Sequence, residues 1–227
     1  KNYKVHKYYL GEDAIHGLIY DAPFEVIQQE AGEGKALVKM LFHYKGTDAG
    51  YPFMYDCSVQ YELKKNSSLT ISTTIINKDA GMIPLCDGWH PYFSFGGSID
   101  DCQLEFQSKE ILEFDASLIP TGKLIAYSEF GSLKKIGTTF LDNCFTVNFA
   151  ECQPMLILRD PEQKIQLEIR PEKSYPYLQI YTPPHRQSIA IENLSAAPDA
   201  FNNGMGLITL AAGEEASFTT NYTISSV

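Results

Sequence analysis

Short runs of alternating polar and apolar residues, separated by turn-forming residues, restrict the fold of this sequence more than any other feature. Residues 57–63 (CSVQYEL) alternate, a Lys-Lys-Asn-Ser-Ser turn follows, and residues 69–76 (LTISTTII) continue with strand-forming residues. A period of two puts one set of side chains on each face of a strand, and the turn residues join the two runs into a β-hairpin. Long runs with helical periodicity are absent from the sequence.

The same alternation recurs along the chain and predicts an all-β protein. Further strands are expected at residues 103–106, 145–149, 155–158, 163–169, 178–182, 188–192 and 217–224. Strands of this regularity, with Gly, Pro and Asn between them, favour an antiparallel β-sandwich. The 227 residues, 44% of them hydrophobic, suffice for one sizeable core, and no repeat or linker divides them. We therefore expect residues 1–227 to form a single domain.

Charge limits the partners of the chain. Its 18 Lys and Arg residues against 28 Asp and Glu residues give a formal charge of -10. An acidic protein repels phosphates at long range, which disfavours binding to nucleic acid or to an anionic membrane. This balance fits a soluble protein that acts on a neutral small molecule, although solubility alone also accounts for it.

The cysteines indicate a reducing compartment. They lie at Cys57, Cys86, Cys102, Cys144 and Cys152, without a CxxC pair. An odd, scattered set is typical of neither a disulfide framework nor a zinc site, so reduced thiols in a cytoplasmic protein are the simplest interpretation. No apolar run is long enough to cross a bilayer, and the first residues lack a signal-peptide pattern.

An aromatic segment at residues 88–97 (GWHPYFSFGG) does not alternate, and it holds His90 between Trp89 and Pro91. Pro91 disfavours helical geometry at His90, so the imidazole is expected on an extended or turn backbone. Aromatic neighbours lower the local dielectric and hold the ring in one orientation, as a general acid requires. A buried histidine in an aromatic corner is an equally good interpretation of this segment alone.

Glu192 follows the apolar run 189–191 and opens the polar stretch 192–206 (ENLSAAPDAFNNGMG). A carboxylate at the end of a buried strand is placed to meet a ligand in a cleft, although it could equally cap the following turn. Together with His90 it supplies one acid and one base, the minimum set for moving two protons.

Five segments, taken in order, resemble signatures of the aldose 1-epimerase (galactose mutarotase-like) family. Residues 88–93 (GWHPYF) resemble its GxHPYF segment, and residues 192–202 (ENLSAAPDAFN) resemble its Glu followed by a PDAFN-like stretch. Less specific matches are residues 15–18 (IHGL), 119–122 (IPTG) and 141–145 (LDNCF). The resemblance covers nearly the whole chain and implies a large antiparallel galactose mutarotase-like supersandwich.

The resemblance also implies a role for each matching residue. His90 would be the general acid that protonates the sugar ring oxygen, and Glu192 the general base that takes the proton of the anomeric hydroxyl. Asp142 would accept hydrogen bonds from sugar hydroxyls, and His16 would help to hold the sugar.

Trp89 and Tyr181 are further candidates for the walls of the cleft, although core packing is the simpler interpretation of each. Mutarotation only moves protons: the anomeric hydroxyl loses one while the ring oxygen gains one. The ordinary pKa values of Glu and His, roughly 4.3 and 6.5, suit a base and an acid near neutrality. Neither a metal nor a cofactor is required, so we expect none, and the partner is a small sugar bound by a monomer or homodimer.

The chain departs from the family pattern at its start. Relatives usually have several strands before the HG motif, including a turn with an Arg that contacts the sugar, whereas this chain begins shortly before His16. Missing strands would leave an unpaired sheet edge, so we expect the natural protein to be longer at its N-terminus, with the first strands of the fold absent here.

Three alternatives stay open. A glycoside hydrolase would use Glu192 and Asp142 as paired carboxylates, but it leaves His90 unexplained. A non-catalytic carbohydrate-binding protein could use the same sandwich. A phosphosugar epimerase would need basic residues at the pocket, and the arginines are not near the motifs in sequence; they are Arg159, Arg170 and Arg186.

Overall fold

A computed structural model describes residues 3–8, 14–150 and 154–227 of the chain, and its regular secondary structure is almost entirely strand. In chain order the strands are β1 (Glu25–Ala31), β2 (Lys35–Lys45), β3 (Met54–Lys64), β4 (Ser68–Asn77), β5 (Ile83–Leu85), β6 (Tyr92–Phe93), β7 (Gln103–Phe106), β8 (Glu110–Phe114), β9 (Pro120–Ala126), β10 (Lys134–Lys135), β11 (Asp142–Thr146), β12 (Leu156–Asp160), β13 (Ile165–Pro171), β14 (Tyr177–Tyr181), β15 (Ile189–Leu194), β16 (Ile208–Leu210) and β17 (Glu215–Ser226). Among these residues, helical structure is limited to a 3-10 turn at Ile99–Asp101 and a short helix, α1, at Ala200–Asn203. In the described part of the chain no helix has the length and apolarity needed to cross a membrane.

The strands form two large sheets with one apolar core between them. The nine-stranded sheet has the order β1-β2-β3-β4-β17-β13-β12-β7-β10, the six-stranded sheet has the order β6-β15-β14-β11-β8-β9, and β16 pairs with β5. Ile75 and Ile169 of the larger sheet and Ile180 and Ile191 of the smaller one belong to the same buried cluster. The predicted all-β antiparallel sandwich is therefore confirmed, whereas the single domain and the missing first strands stay predictions.

The hairpin predicted at residues 57–76 is present as β3 and β4. The two strands pair antiparallel from Tyr55↔Asn77 to Lys64↔Ser68. Alternate side chains face the core, as the period of two requires, and Cys57 is only 1% exposed. The described cysteines are free thiols, and Cys152 lies outside the described residues.

The prediction of a strand at residues 145–149 was wrong in its bounds, because β11 runs from Asp142 to Thr146. The ladder with β14 stops where Val147 N donates to Pro176 O, since proline has no N–H to return a second bond. The start was missed because two polar residues open the strand, and the pattern was read from its first apolar residues. The earlier start places Asp142 within the sheet, opposite Tyr181.

The position of Glu192 was also wrong, since it lies inside β15 and not at its end. The strand continues through Asn193 and Leu194, and Asn193 is buried. The polar stretch was taken to begin where the apolar run ends, but Glu192 and Asn193 still belong to the strand, and their side chains point to its two opposite faces. Their hydrogen bonds come from neighbouring strands, so their polarity does not indicate a loop.

Candidate functional site

The segment that carries His90 runs antiparallel to β15, although only its end, β6, is a regular strand. Tyr92 pairs with Ala190, and four residues earlier an isolated bridge pairs Gly88 with Leu194. The two pairs have the same register. His90 lies midway between them on its own segment, so the side chains of the segment alternate in direction although its sequence does not alternate in polarity.

Glu192 lies midway between Ala190 and Leu194 on β15, which makes it the cross-strand neighbour of His90. The imidazole Nε2 and the carboxyl Oε1 are 3.1 Å apart. The side chain of Glu192 is 10% exposed and that of His90 is 31% exposed, so the pair is shielded but can be reached from solvent. The structure thus brings together the acid and the base that the sequence predicts.

The pair lies on the face of the six-stranded sheet that is turned away from the larger sheet. Alternation decides this, because Ile189 and Ile191 of β15 belong to the core between the sheets. The intervening residues of β15, Ala190 and Glu192, therefore point to the other face. We call this other face, around Glu192, the site face.

Gln179 on β14 was missed by the sequence analysis and lies at the centre of the site face. It is paired in register with Glu192 on one side and with Cys144 on the other. Its Nε2 donates to Asp142 Oδ1 at 3.0 Å, and its Oε1 is buried without a partner among the described residues. Gln179 therefore links the Asp142 carboxylate to the neighbourhood of Glu192.

A signal for Gln179 was present in the sequence. It alternates with Tyr177 and Tyr181 in the run YLQIY, so it shares their face of the strand. A polar amide at such a position in a buried strand needs a polar neighbour or a ligand. Tyr181 lies on the same face, paired with Asp142 and Ala190, as expected for a residue near the cleft.

Aromatic rings flank His90 on two sides. The Tyr92 ring stacks on the imidazole with centroids 5.0 Å apart and an interplanar angle of 25°. The His16 ring meets it edge-on, also at 5.0 Å, and Tyr20 lies 6.2 Å from His16. His16 and Gly17 both have positive φ angles, near 70°, so this turn requires a left-handed backbone, and Gly17 adopts it without strain.

Trp89 does not wall the cleft. Its side chain points between the sheets and packs against the core cluster, where its ring lies 6.0 Å from that of Tyr61. Its indole Nε1 donates to Thr73 Oγ1 of β4 at 3.2 Å. Trp89 precedes His90 by one residue, and successive side chains of an extended segment point to opposite faces, so it cannot share the face of His90.

Burial sets the protonation of the pair. It raises the pKa of Glu192 to about 8, with a further contribution from the charge of Asp142, and it lowers the pKa of His90, helped by the charge of His16. The short contact alone would favour a carboxylate and an imidazolium. We take burial as the deciding cause, because removing two charges from water costs more than such a pair regains unless further hydrogen bonds support it.

The neutral pair still contains one acid and one base. A protonated Glu192 with a neutral His90 holds the same number of protons as a carboxylate with an imidazolium. At 3.1 Å the proton can pass directly from one to the other. Burial also raises the pKa of Asp142, against the opposing effect of its bond from Gln179.

Known proteins resemble this chain over most of its length. It is 26% identical over 208 residues to the uncharacterized protein YihR of Escherichia coli strain K12, covering 88% of this chain and 64% of YihR. A galactose mutarotase-like protein of Clostridium acetobutylicum superposes with a TM-score of 0.84 at 19% identity, over 94% of this chain and 69% of the other. A galactose 1-epimerase of Lactobacillus acidophilus NCFM superposes with a TM-score of 0.77 at 19% identity, over 89% and 66%.

The chain spans slightly less than two thirds of the length of YihR. At such identities the solved structures establish the fold, which is the galactose mutarotase-like sandwich. The family description that matches the sequence, aldose 1-epimerase, extends over residues 1–223. The chain therefore belongs to the aldose 1-epimerase family.

Proposed function

We propose that this chain interconverts the α and β anomers of a free aldose, with His90 and Glu192 as the acid–base pair. The observation that carries the proposal is their direct contact, at 3.1 Å, on the accessible face of the smaller sheet. The two oxygens that exchange protons in mutarotation, the anomeric hydroxyl and the ring oxygen, are bonded to the same carbon. An acid and a base that serve both must therefore be close neighbours, as cross-strand partners are.

The reaction needs balanced proton transfers. In the active form the Glu192 carboxylate removes the proton of the anomeric hydroxyl while the His90 imidazolium donates one to the ring oxygen, and the bond between the anomeric carbon and the ring oxygen breaks. Rotation of the open-chain aldehyde presents its other face. Reversal of both transfers closes the ring and restores the pair, so no external acid or base is consumed.

The neighbouring polar groups suit sugar binding. Asp142 offers a carboxylate oxygen to sugar hydroxyls, and Gln179, which already donates to it, holds it in place. His16 lies over one edge of His90, where it can contact the ring oxygen or an adjacent hydroxyl. Tyr181 shares the face and can close one side of the cleft.

The arginines give no support to a phosphosugar substrate. All three arginines of the sequence are described and each has partners elsewhere: Arg159 bonds Gln166, Arg170 bonds Glu168, and Arg186 bonds Asp100. None of these contacts involves the residues around His90. The glycoside hydrolase alternative leaves the contact of Glu192 with an imidazole without a role, so it is less well supported.

Polarimetry on freshly dissolved anomers tests the proposal. We expect the protein to speed equilibration of at least one unmodified aldose in a panel, to release no sugar from glycosides, and to give no preference for phosphorylated aldoses. Binding of sugars without any increase in rate would identify a carbohydrate-binding protein and would overturn the proposal.

A further inference from the structure

The strands that carry His90 and Glu192 also direct side chains into the space between the two sheets. Alternation places Asp87 and Trp89 on the interior side of their segment, next to positions that face the site. On β15 the interior neighbour of Glu192 is Asn193, which is 1% exposed. Polar groups enclosed in this way need hydrogen-bond partners, and these partners come from the opposite sheet.

Asp87 and Trp89 each hydrogen-bond one further side chain in the interior. The fully buried Tyr175 donates its hydroxyl proton to Asp87 Oδ2 at 2.6 Å. Trp89 Nε1 donates to the hydroxyl of Thr73 on β4 at 3.2 Å, and the Thr73 side chain also lowers the pKa of Tyr175. We call Asp87, Trp89, Thr73 and Tyr175 the interior network. It ties the segment that bears His90 to the nine-stranded sheet.

The partner strand is fixed in the same direction. Asn193 Nδ2 donates to Thr220 Oγ1 at 3.0 Å and to the Tyr222 hydroxyl at 3.5 Å, both on β17. Asp87 N donates to Ser195 Oγ at 2.8 Å, and Ser195 N donates to Asp87 O at 2.9 Å. Both strands are thus bonded to each other and to the opposite sheet directly behind the acid–base pair.

His90 itself has little else to orient it. Its Nε2 meets Glu192, but its Nδ1 is buried without a hydrogen-bond partner in another residue of the described chain. A working histidine is commonly oriented by a hydrogen bond at its second ring nitrogen. Here the ring orientation depends on the backbone of its segment and on the packing of His16 and Tyr92.

We propose that the interior network positions His90 for proton transfer with Glu192. Tyr175, Thr73 and Asp87 are then positioning residues, which never touch the sugar and act through the backbone of the His90 segment. The kinetic part of this inference rests on the proposed function. A displacement of about 1 Å in a catalytic group can lower a rate roughly 100-fold, so loss of one bond in the network should reach the chemistry.

Thr73→Val is the first test, because valine keeps the shape of threonine and removes the hydroxyl that accepts the hydrogen bond from Trp89. Its matched control is Thr74→Val. Thr74 is the next residue of β4, and its hydroxyl bonds Ser217 Oγ at 2.9 Å, away from the network. Both variants remove one hydroxyl from the same strand, so a general loss of β4 stability affects both.

Tyr175→Phe is the second test, and Tyr44→Phe is its control. Tyr44 is also buried, and its hydroxyl donates to the Tyr51 carbonyl at 3.1 Å, outside the network. If one of the two network variants fails to fold, the other still decides the question. All rates are measured well below the unfolding temperature of each variant.

Two readouts separate positioning from simple stability. In Thr73→Val and Tyr175→Phe we expect kcat to fall at least about tenfold with KM changed less than about twofold, because binding groups stay in place while the acid moves. The ¹⁵N-edited imidazole resonances of His90, assigned by their loss in His90→Asn, should shift in the same variants and not in the controls. Unchanged kcat and unchanged His90 resonances in both network variants would overturn the proposal.

The second readout requires no sugar. If the wild-type protein gives no rate enhancement with any aldose, the proposed function fails, but the His90 resonances still report whether the network sets the ring position. If the wild type is active and the network variants keep its kcat, the positioning proposal fails alone.

Discussion

Glu192 and His90 are opposite each other on neighbouring antiparallel segments, with Oε1 and Nε2 3.1 Å apart. Their contact is a consequence of strand register: the pairs on either side, Tyr92↔Ala190 and Gly88↔Leu194, leave no other alignment. A slip of one residue would turn one of the two side chains to the core face. The contact between Glu192 and His90 is therefore specified by the same ladder that holds the edge of the smaller sheet.

The pH dependence of the rate should be bell-shaped, because Glu192 and His90 together must hold one proton. Burial raises the pKa of Glu192 to about 8 and lowers that of His90 below its ordinary value. Above the higher pKa both groups have lost their protons, and below the lower one both are protonated. We expect kcat/KM to fall on the alkaline side near pH 8 and on the acid side at a pH below the ordinary pKa of histidine. A profile that keeps rising beyond pH 9 would contradict this assignment.

Asp142→Asn should shift the alkaline limb of that profile. The negative charge of Asp142 contributes to the raised pKa of Glu192, so its removal lowers the pKa and moves the limb to lower pH. The amide also loses an acceptor for sugar hydroxyls, so KM should rise. The matched control is Asp115→Asn, a surface carboxylate that bonds backbone amides of its own turn. A limb that stays in place in Asp142→Asn would remove Asp142 from the electrostatics of the pair.

Asp87 should make the protein less stable as pH rises. Burial raises its pKa to about 7, although the bond from Tyr175 opposes the shift. The native state therefore binds more protons than the unfolded state between about pH 4 and pH 7. The stabilisation from this proton is fully present below about pH 4 and is lost as the pH rises to about 7, by up to about 1.4 kcal/mol per pH unit. Asp87→Asn removes this titrating carboxyl group. Urea unfolding at pH 5 and pH 8 should show a smaller difference for the variant than for the wild type; equal differences would contradict the shift.

Gly206→Ala should destabilise the loop that follows β15. Gly206 has a φ of 79°, and a Cβ there would lie 3.0 Å from Ala196 Cα and 2.9 Å from the Tyr177 ring. A left-handed alanine pressed against backbone should cost about 1–3 kcal/mol in the free energy of unfolding. Gly96→Ala is a useful control, because its φ is 90° but no atom lies within 4 Å of the added Cβ. A midpoint in denaturant for Gly206→Ala no lower than that of Gly96→Ala would show that packing at Gly206 contributes nothing.

Periodicity and turn chemistry predicted the strands well where one face is buried. β3 and β4 follow from their alternation, because the same residues that alternate in sequence face the core. The predicted strand bounds were wrong where polar residues lie inside strands, as at Asp142 and Glu192. In both places neighbouring parts of the sheet supply the hydrogen bonds, whereas polarity alone suggests that water supplies them.

The site was predicted in part, and its gaps have physical causes. His90 and Glu192 came from local motifs, and register brings them together. Trp89 was named as a candidate for the cleft wall, with core packing as the simpler interpretation, and it packs against the core. A motif shows which residues are adjacent in sequence but not the face on which each one lies. Gln179 was missed because its sequence signal, a polar amide that alternates with Tyr177 and Tyr181, does not by itself identify a site, and its importance comes from its neighbours Asp142 and Glu192.

The most direct measurement is the rate of anomer equilibration by the wild type, Glu192→Gln, His90→Asn and the double variant, with His43→Asn and Glu129→Gln as surface controls. Both control residues are exposed and paired with surface groups, Asp56 and Lys134. We expect each single variant to lose about 10²–10⁴-fold in kcat/KM with its fold intact, and the double variant to lose little more, because the two residues act as a unit. Wild-type rates in both single variants would contradict the assignment of this pair.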